Sequence, residues 1–332
     1  MNTKSYLAMF GELAEKGEIP RSLYDKMLAR IAAEGKMTKA IYAEYLDELE
    51  KNRLFDVDGA PFDTAKSAKT DGTYVYKHEH NPFWHILHAF WSTLFKFIGW
   101  FGGGIVFGVW RIKDKRVFRK LGACITVSNH VGYLDAVLTR RALGCKKQYI
   151  VVAPHNCKYT VGGAILRSAT ELPLPINLKG ARSFNEMLFY VAARGAKIHF
   201  YPEKSMWIGY KKPRPYKEGA FFYADMLDIP VVPMLYCFKQ PRGLRKLFRM
   251  PKAVVKIGNP VYSDKTLKPK DRKSDLALRA YAESKRLYEE FYGIPLMYLD
   301  PDPQDSYGCA DAAETHGEEN TIDMQSYNED KR

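Results

Sequence analysis

The chain predicts an α/β fold, a mixed sheet flanked by helices, preceded by a helical extension and an apolar helical element. Three observations carry this. From residue 121 onward, short apolar runs at 123–127, 148–153, 196–201, 230–238 and 253–257 alternate with helical patterns, as a helix-sandwiched sheet requires. Ahead of them, 82–110 is the most apolar stretch in the chain. Ahead of that, 1–55 shows only helical periodicity.

In the extension, Tyr42, Tyr45, Leu46 and Leu49 recur at i, i+3, i+4 and i+7, and Tyr6, Phe10 and Leu13 follow nearly the same spacing. Short amphipathic helices in a docking or packing module are expected over 1–55. Gly, Pro, Asp and Thr mark 56–81 as a linker. Residues 82–110 hold one formal charge, Lys96, and four of the five tryptophans: Trp84, Trp91, Trp100 and Trp110. Tryptophan favours a membrane–water interface, where the ring is in hydrocarbon and the N–H is wet. His85, His88 and Lys96 interrupt one half and Gly102, Gly103 and Gly104 break the other, whereas a spanning helix needs about 20 uninterrupted apolar residues. Two short helices lying in one leaflet are therefore expected, with a single span or a buried soluble hairpin as the alternatives. Arg111, Lys113, Lys115, Arg116, Arg119 and Lys120 follow and suit the anionic cytoplasmic leaflet. A peripheral or monotopic protein on the cytoplasmic face of a membrane, with membrane lipids as partners, is the expectation.

The α/β domain is expected over 111–295. Its best helical face carries Phe184, Met187, Leu188, Val191 and Ala192. Ser274 is the expected cap of a last helix bearing Leu276, Ala280, Leu287 and Phe291. An acidic tail over 296–332 is expected to be disordered. Residues 301–332 carry nine acids and two bases, so the rest of the chain, from a total of +13, carries +20. So basic a body suits an anionic partner. No nucleic-acid motif is present, and a tryptophan-rich apolar stretch fits lipid better than nucleic acid. Five cysteines without a CxxC argue against a disulfide framework or a zinc site and fit a reducing compartment; no metal is expected. The first 18 residues lack the apolar run of a signal peptide.

Chemistry points to two blocks. Ser128-Asn129-His130-Val131-Gly132-Tyr133-Leu134-Asp135 follows an apolar strand. Histidine can take a proton from a hydroxyl near neutral pH, and a carboxylate on its other nitrogen fixes the tautomer. Five residues turn a helix by roughly 500°, so His130 and Asp135 can pair only with His130 in the loop before a helix and Asp135 in its first turn. Asn129 and Gly132 suit such a loop. The plainer alternative is an Asn cap beside an incidental histidine. The second block is Phe200-Tyr201-Pro202-Glu203-Lys204-Ser205, at the end of a strand, where open α/β sheets place ligands. Glu203 could accept hydrogen bonds from backbone or from an acceptor hydroxyl, or sit in a surface ion pair. Neither a GxSxG elbow nor a P-loop occurs.

Asn129-His130 with Asp135, then Tyr201-Pro202-Glu203, then Ile229-Pro230-Val231-Val232-Pro233 resembles the lysophosphatidic acid acyltransferase family, with Lys217-Glu218-Gly219-Ala220-Phe221 similar to its KxGAF segment. The resemblance spans about residues 120–262. It implies the glycerolipid acyltransferase fold, a two-helix membrane-surface element before the first block, and acyl transfer without a covalent enzyme intermediate. His130 would deprotonate a lysophospholipid or glycerol-phosphate-like acceptor, Asp135 would orient it, and acyl-CoA or acyl-carrier protein would be the co-substrate, with no cofactor. The chain departs from the family after the glutamate: Lys204, Ser205 and Met206 stand where glycine, threonine and arginine are usual. Asn177 stands where a phosphate-holding arginine is expected, so Lys179, Arg182, Lys204, Arg214 or Lys217 would have to take that role beside Glu203 and Ser205. A glycolipid or aminolipid acceptor, or an inactive membrane scaffold, are the alternatives.

Overall fold

A computed structural model describes residues 1–74, 76, 82–144, 147–248, 250 and 252–300, apart from the side chains of residues 82, 84, 85 and 167–169. Residues 301–332 of the expected tail, part of the expected linker and the Trp84 side chain lie outside the described residues, whereas 296–300 of that tail are ordered against the rest of the chain, Tyr298 OH donating to Pro213 O (2.6 Å) and Leu299 N–H to Glu50 (2.8 Å).

The extension forms three helices, α1 (Thr3–Glu15), α2 (Arg21–Glu34) and α3 (Lys39–Lys51). Asn2 and Thr38 cap α1 and α3 through their side-chain oxygens, and Gly35, at φ +69°, ends α2 in the left-handed region that favours glycine. Their apolar faces bury Phe10, Met27, Ile41, Tyr45 and Leu49 in a core of their own, which also encloses Trp207 from the α/β domain. The residues described between 56 and 74 lie along the domain as a strap. Ala68 N–H donates to Pro154 O (3.2 Å), Ile176 N–H to Thr70 O (3.1 Å), and Thr70 Oγ1 to Leu174 O (2.6 Å).

The apolar stretch is one helix, α4 (Pro82–Ile105), where two short ones were expected. Gly102, Gly103 and Gly104 do not break it, because the glycines here serve close approach. A Cβ on Gly99 would lie 2.7 Å from Arg140 Cβ, and one on Gly103 3.0–3.1 Å from the Arg141 side chain. The loss of helix propensity at glycine, about 1 kcal/mol each, is offset by this contact. Among the described residues, no helix is long and apolar enough to cross a membrane.

After a short turn of helix, α5 (Val117–Lys120), the sheet domain runs β1 (Cys124–Val127), α6 (Asp135–Leu143), β2 (Gln148–Val152), α7 (Val161–Ala169), β3 (Glu171–Pro173), α8 (Leu178–Ala193), β4 (Lys197–Phe200), α9 (Gly219–Leu227), β5 (Val231–Lys239), α10 (Leu244–Leu247), β6 (Lys252–Ile257) and α11 (Pro269–Tyr292). Strand order is β3-β2-β4-β1-β5-β6; all neighbours are parallel except β5 and β6. The fold is therefore the expected mixed sheet flanked by helices. Its five parallel strands are buried along almost their whole length because both faces are covered. Phe184, Leu188 and Val191 of α8 and Leu276 and Ala280 of α11 lie in the core on one face; Leu138 and Ala142 of α6 lie with Val232 and Met234 on the other. The last helix starts at Pro269, five residues before the expected cap; Ser274 lies inside it and donates to Glu218 (2.5 Å). Proline at the first helical position, with its fixed φ, made the earlier start available.

Candidate active site

The central strand β1 lies between β4 and β5, and the chain leaves its C-terminal end through Ser128 and Asn129, both fully buried. The Asn129 amide clips this loop to β5: Nδ2–H donates to Tyr236 O (3.1 Å), and Oδ1 accepts from Tyr236 N–H (2.8 Å). The chain then turns through 130–134 into α6, whose first residue is Asp135. No side chain caps α6 from outside. Asp135 Oδ2 instead folds back over the loop and accepts from Val131 N–H (2.6 Å), Gly132 N–H (3.0 Å) and His130 Nδ1 (2.8 Å). One carboxylate thus shapes the loop and orients the imidazole.

Burial pushes the Asp135 carboxyl up, against the pull of the hydrogen bond and charge of His130. A proton on Nδ1 would be engaged by Asp135, an arrangement that would leave the Nε2 lone pair able to accept a proton. The ring stacks on Tyr201 (4.2 Å between centroids, 20° between planes), and its side chain remains 22% exposed. Beneath it, Thr139 Oγ1 joins Tyr201 OH (3.1 Å), Tyr236 OH (2.6 Å) and Asp135 O (3.1 Å). A second histidine, His199, is completely buried between Thr126 Oγ1 (2.9 Å) and Ser128 Oγ (3.2 Å), edge-on to Tyr201. Burial foremost, and then the nearness of His130, bring its pKa down to about 3, so it is neutral and structural at any ordinary pH.

Glu203, just past the end of β4, is also buried. Its Oε2 accepts the backbone N–H of His130 (3.0 Å) and two guanidinium nitrogens of Arg214, Nε (3.1 Å) and Nη2 (2.7 Å); Oε1 accepts Arg214 N–H (2.8 Å). Arg214 is fully buried and also bonds Ser205 O (2.5 Å) and the Ser205 hydroxyl. Removing one member of such a pair strands a buried charge, at a cost of about 3–5 kcal/mol.

Glu203 therefore holds backbone and Arg214, and Arg214 and Ser205 are interior residues rather than surface ligands. Lys204 and Lys217 are exposed beside them and share one carboxylate, Asp56, at 3.7 and 3.1 Å. Burial alone would raise Asp56, but Lys217 and then Lys204 outweigh it and bring it down. Lys204 sits at φ +68°, the left-handed region in which glycine is the unstrained residue. Asn177 is the N-cap of α8, its Oδ1 accepting from Gly180 N–H (2.8 Å); Lys179 is exposed in the first turn, and Arg182 pairs with Glu186 (3.3 Å). These three follow edge strand β3, which β2 and β4 separate from β1, a distance of roughly 14 Å at ordinary strand spacing. The structure thus gathers His130, Asp135, Glu203, Lys204, Ser205, Arg214 and Lys217, and leaves Asn177, Lys179 and Arg182 at the other side of the sheet. Trp100 and Trp110 meet edge to face (6.0 Å), each about half exposed, and Trp91 lies partly buried against Phe90 and Phe95. Among the described residues, no group of three or more His, Cys, Asp or Glu side chains is placed to hold a metal. The Asn129 clip and the Thr139, Tyr236 and His199 supports went unread in the sequence, because each pairs residues 62 to 107 apart that only the strand order brings together.

Residues 110–237 match the family model described as acyltransferase. The chain is 28% identical over 156 residues to human 1-acyl-sn-glycerol-3-phosphate acyltransferase beta, covering 42% of this chain and 51% of that protein. It thus spans about half the length of the curated relative. The crystal structure of the 1-acyl-sn-glycerophosphate (LPA) acyltransferase PlsC from Thermotoga maritima is similar at 18% identity and a TM-score of 0.36, over 64% of this chain and all of that one.

Proposed function

We propose that this chain, a member of the acyltransferase family through its residues 110–237, moves a fatty acyl group from a thioester to the hydroxyl of a glycerolipid-type acceptor, with His130 as general base. The observation that carries the reading is the 2.8 Å bond from His130 Nδ1 to Asp135 Oδ2, which engages one ring nitrogen and leaves the other, Nε2, outside that bond on a side chain that is 22% exposed. Nε2 takes the proton of the acceptor hydroxyl as its oxygen attacks the thioester carbonyl. The tetrahedral adduct collapses, the C–S bond breaks, and the thiolate leaves with the proton from the imidazolium. Asp135 stabilises that imidazolium without itself being protonated, and general-base help of this kind contributes about 10²–10⁴-fold in rate. Acyl-CoA or acyl-carrier protein is the donor. Mass-spectrometric identification of products from acyl-CoA and a panel of lyso-lipids, glycerol-phosphate, glycolipids and aminolipids tests the reading. An acylated acceptor with stoichiometric free thiol is expected; thioester hydrolysis without an acylated product would contradict it.

The ion pairs favour an acceptor held loosely by its headgroup. Arg214 is taken by Glu203, and Lys204 and Lys217 share Asp56. Among the described residues next to Glu203, Arg214 is thereby withheld from a phosphomonoester, and a phosphate there would meet the point charges of Lys204 and Lys217.

The reading includes a membrane surface, on its cytoplasmic face. Phe83, Ile86, Phe90, Phe97, Phe101 and Ile105 form one stripe along α4, each 40–69% exposed. Beyond its end, α10 and the next residue expose Leu244, Leu247 and Phe248, while Arg245 donates to the carbonyls of Gly104 (3.1 Å), Ile105 and Val106 (3.0 Å) and ties the two elements together. An apolar stripe next to the basic cluster 111–120 suits a helix lying in an anionic leaflet.

A further inference from the structure

The helical extension lies outside residues 110–237, yet its connection to the domain reaches the backbone of His130. Several bonds join 42–59 to the segment after Glu203, and those nearest His130 come from Phe55, Val57, Gly59 and Tyr42. Phe55 O accepts from Arg214 Nη1 (2.7 Å) and Ser205 Oγ (3.0 Å). Val57 O accepts from Trp207 Nε1 (2.9 Å), Gly59 N–H donates to Met206 O (3.2 Å), and Tyr42 OH accepts from Ile208 N–H (2.7 Å). From the other side, Trp207 N–H donates to His130 O (3.1 Å), Gly209 N–H to Val131 O (2.8 Å), and Glu203 receives His130 N–H. Trp207 is fully buried in the core of α1–α3, under the Arg214 guanidinium (4.5 Å to the ring). Gly59 is required at the joint, since a Cβ there would lie 2.9 Å from Met206 O and 3.0 Å from Trp207 Cδ1.

We infer that residues 55–59 together with Trp207 form a latch that positions the catalytic histidine, so that the helical extension is part of the active site. The N–H of His130 is held by Glu203, whose partner Arg214 is bonded to Phe55 O. The C=O of His130 is held by Trp207, whose indole is bonded to Val57 O. Asp135 and Tyr201 then fix only the ring's rotation; the latch fixes where the ring starts from. Displacing a base by a fraction of its hydrogen-bond length is felt in the chemical step and not in binding. Phe55, Val57, Gly59, Ser205 and Trp207 are positioning residues on this account.

The inference rests on His130 being the base, and the test separates the two. Trp207→Phe keeps the ring over Arg214 and removes the bond to Val57. Ile31→Ala weakens the same helical core at a residue that makes none of the hydrogen bonds of the latch. Thioester turnover and the downfield proton NMR signal of His130 Nδ1–H, bonded to Asp135, are measured in both alongside the melting temperature. Trp207→Phe is expected to lower kcat about 10-fold, leave both KM values within about twofold, and broaden the Nδ1 proton signal. Ile31→Ala should lower the melting temperature while keeping kcat and the signal. Unchanged kcat and signal in Trp207→Phe, or equal losses in Ile31→Ala, would overturn the latch. If Trp207→Phe does not fold, Ser205→Ala, which removes one bond to Phe55 O, should lower kcat several-fold, and no change there would overturn it equally. If the wild-type protein turns over no acceptor, the acyl-transfer reading fails and the proton signal alone decides the latch.

Discussion

His199 is a fully buried histidine in the middle of the sheet, and its burial makes it a pH sensor of stability. The unfolded chain binds a proton on this residue near pH 6.5, whereas the folded chain does so only near pH 3. Above pH 6.5 both states are neutral and nothing is lost; as pH falls below 6.5 the unfolded state gains protons that the folded state cannot hold, and stability drops by about 1.4 kcal/mol per pH unit. Urea unfolding should therefore show the wild-type protein losing about 2 kcal/mol more between pH 7 and 5 than His199→Gln, which can still bond Thr126 and Ser128. Equal losses would mean that His199 is protonated in the folded state. Asn177 makes the complementary case. Its side chain is spent on Gly180 N–H, so Asn177→Ala should cost about 1 kcal/mol of stability and leave the acceptor KM unchanged. A raised KM would return it to the acceptor site. At this scale, the sequence carried the dyad well. A five-residue spacing is compatible with one geometry only, and His130 and Asp135 adopt it. The fates of Arg214 and Ser205 were hidden, because burial and pairing depend on a strand end and a strap that are far apart in the chain.

Elements whose signal is periodic were legible, and elements whose signal is contact were not. The face of α8 bearing Phe184, Met187, Leu188 and Val191 is buried as its spacing demands. By contrast, β3 is a three-residue edge strand containing a proline, too short to alternate. The α4 helix was misread because three consecutive glycines normally end a helix. The sign that they do not is the pair Gly99 and Gly103, one turn apart on one face, which lets α4 approach α6 until Arg140 and Arg141 lie against it. Arg140 is buried there, bonded to Thr170 and Glu171 (2.9 Å) and lying over Phe95 (4.9 Å). Gly99→Val should accordingly push α4 from α6 and cost about 1–3 kcal/mol, read as a lowered melting temperature. No loss of stability would mean that α4 does not sit on α6 in solution.

For the whole molecule, a chain with +20 outside its last 32 residues carries an apolar stripe on α4 followed by a basic cluster, and the proposed membrane surface would engage both. The protein should sediment with vesicles containing anionic lipid at low salt and less so as ionic strength rises, because screening shortens the reach of the bases to about 8 Å at 0.15 M. Replacing Phe97 and Phe101 by serine should release it at every salt concentration. Binding unaffected by those changes would remove α4 from the membrane. The proposed chemistry is that the His130 imidazole, held by Asp135, takes a hydroxyl proton while a thioester is attacked. The most direct measurement follows free thiol and acylated lipid together, for the wild-type protein and for His130→Ala, at equal concentration of folded enzyme. Thiol and acylated product are expected in a one-to-one ratio from the wild-type protein, and both reduced by at least about 100-fold in His130→Ala. Near-normal formation of acylated product by His130→Ala would contradict that chemistry.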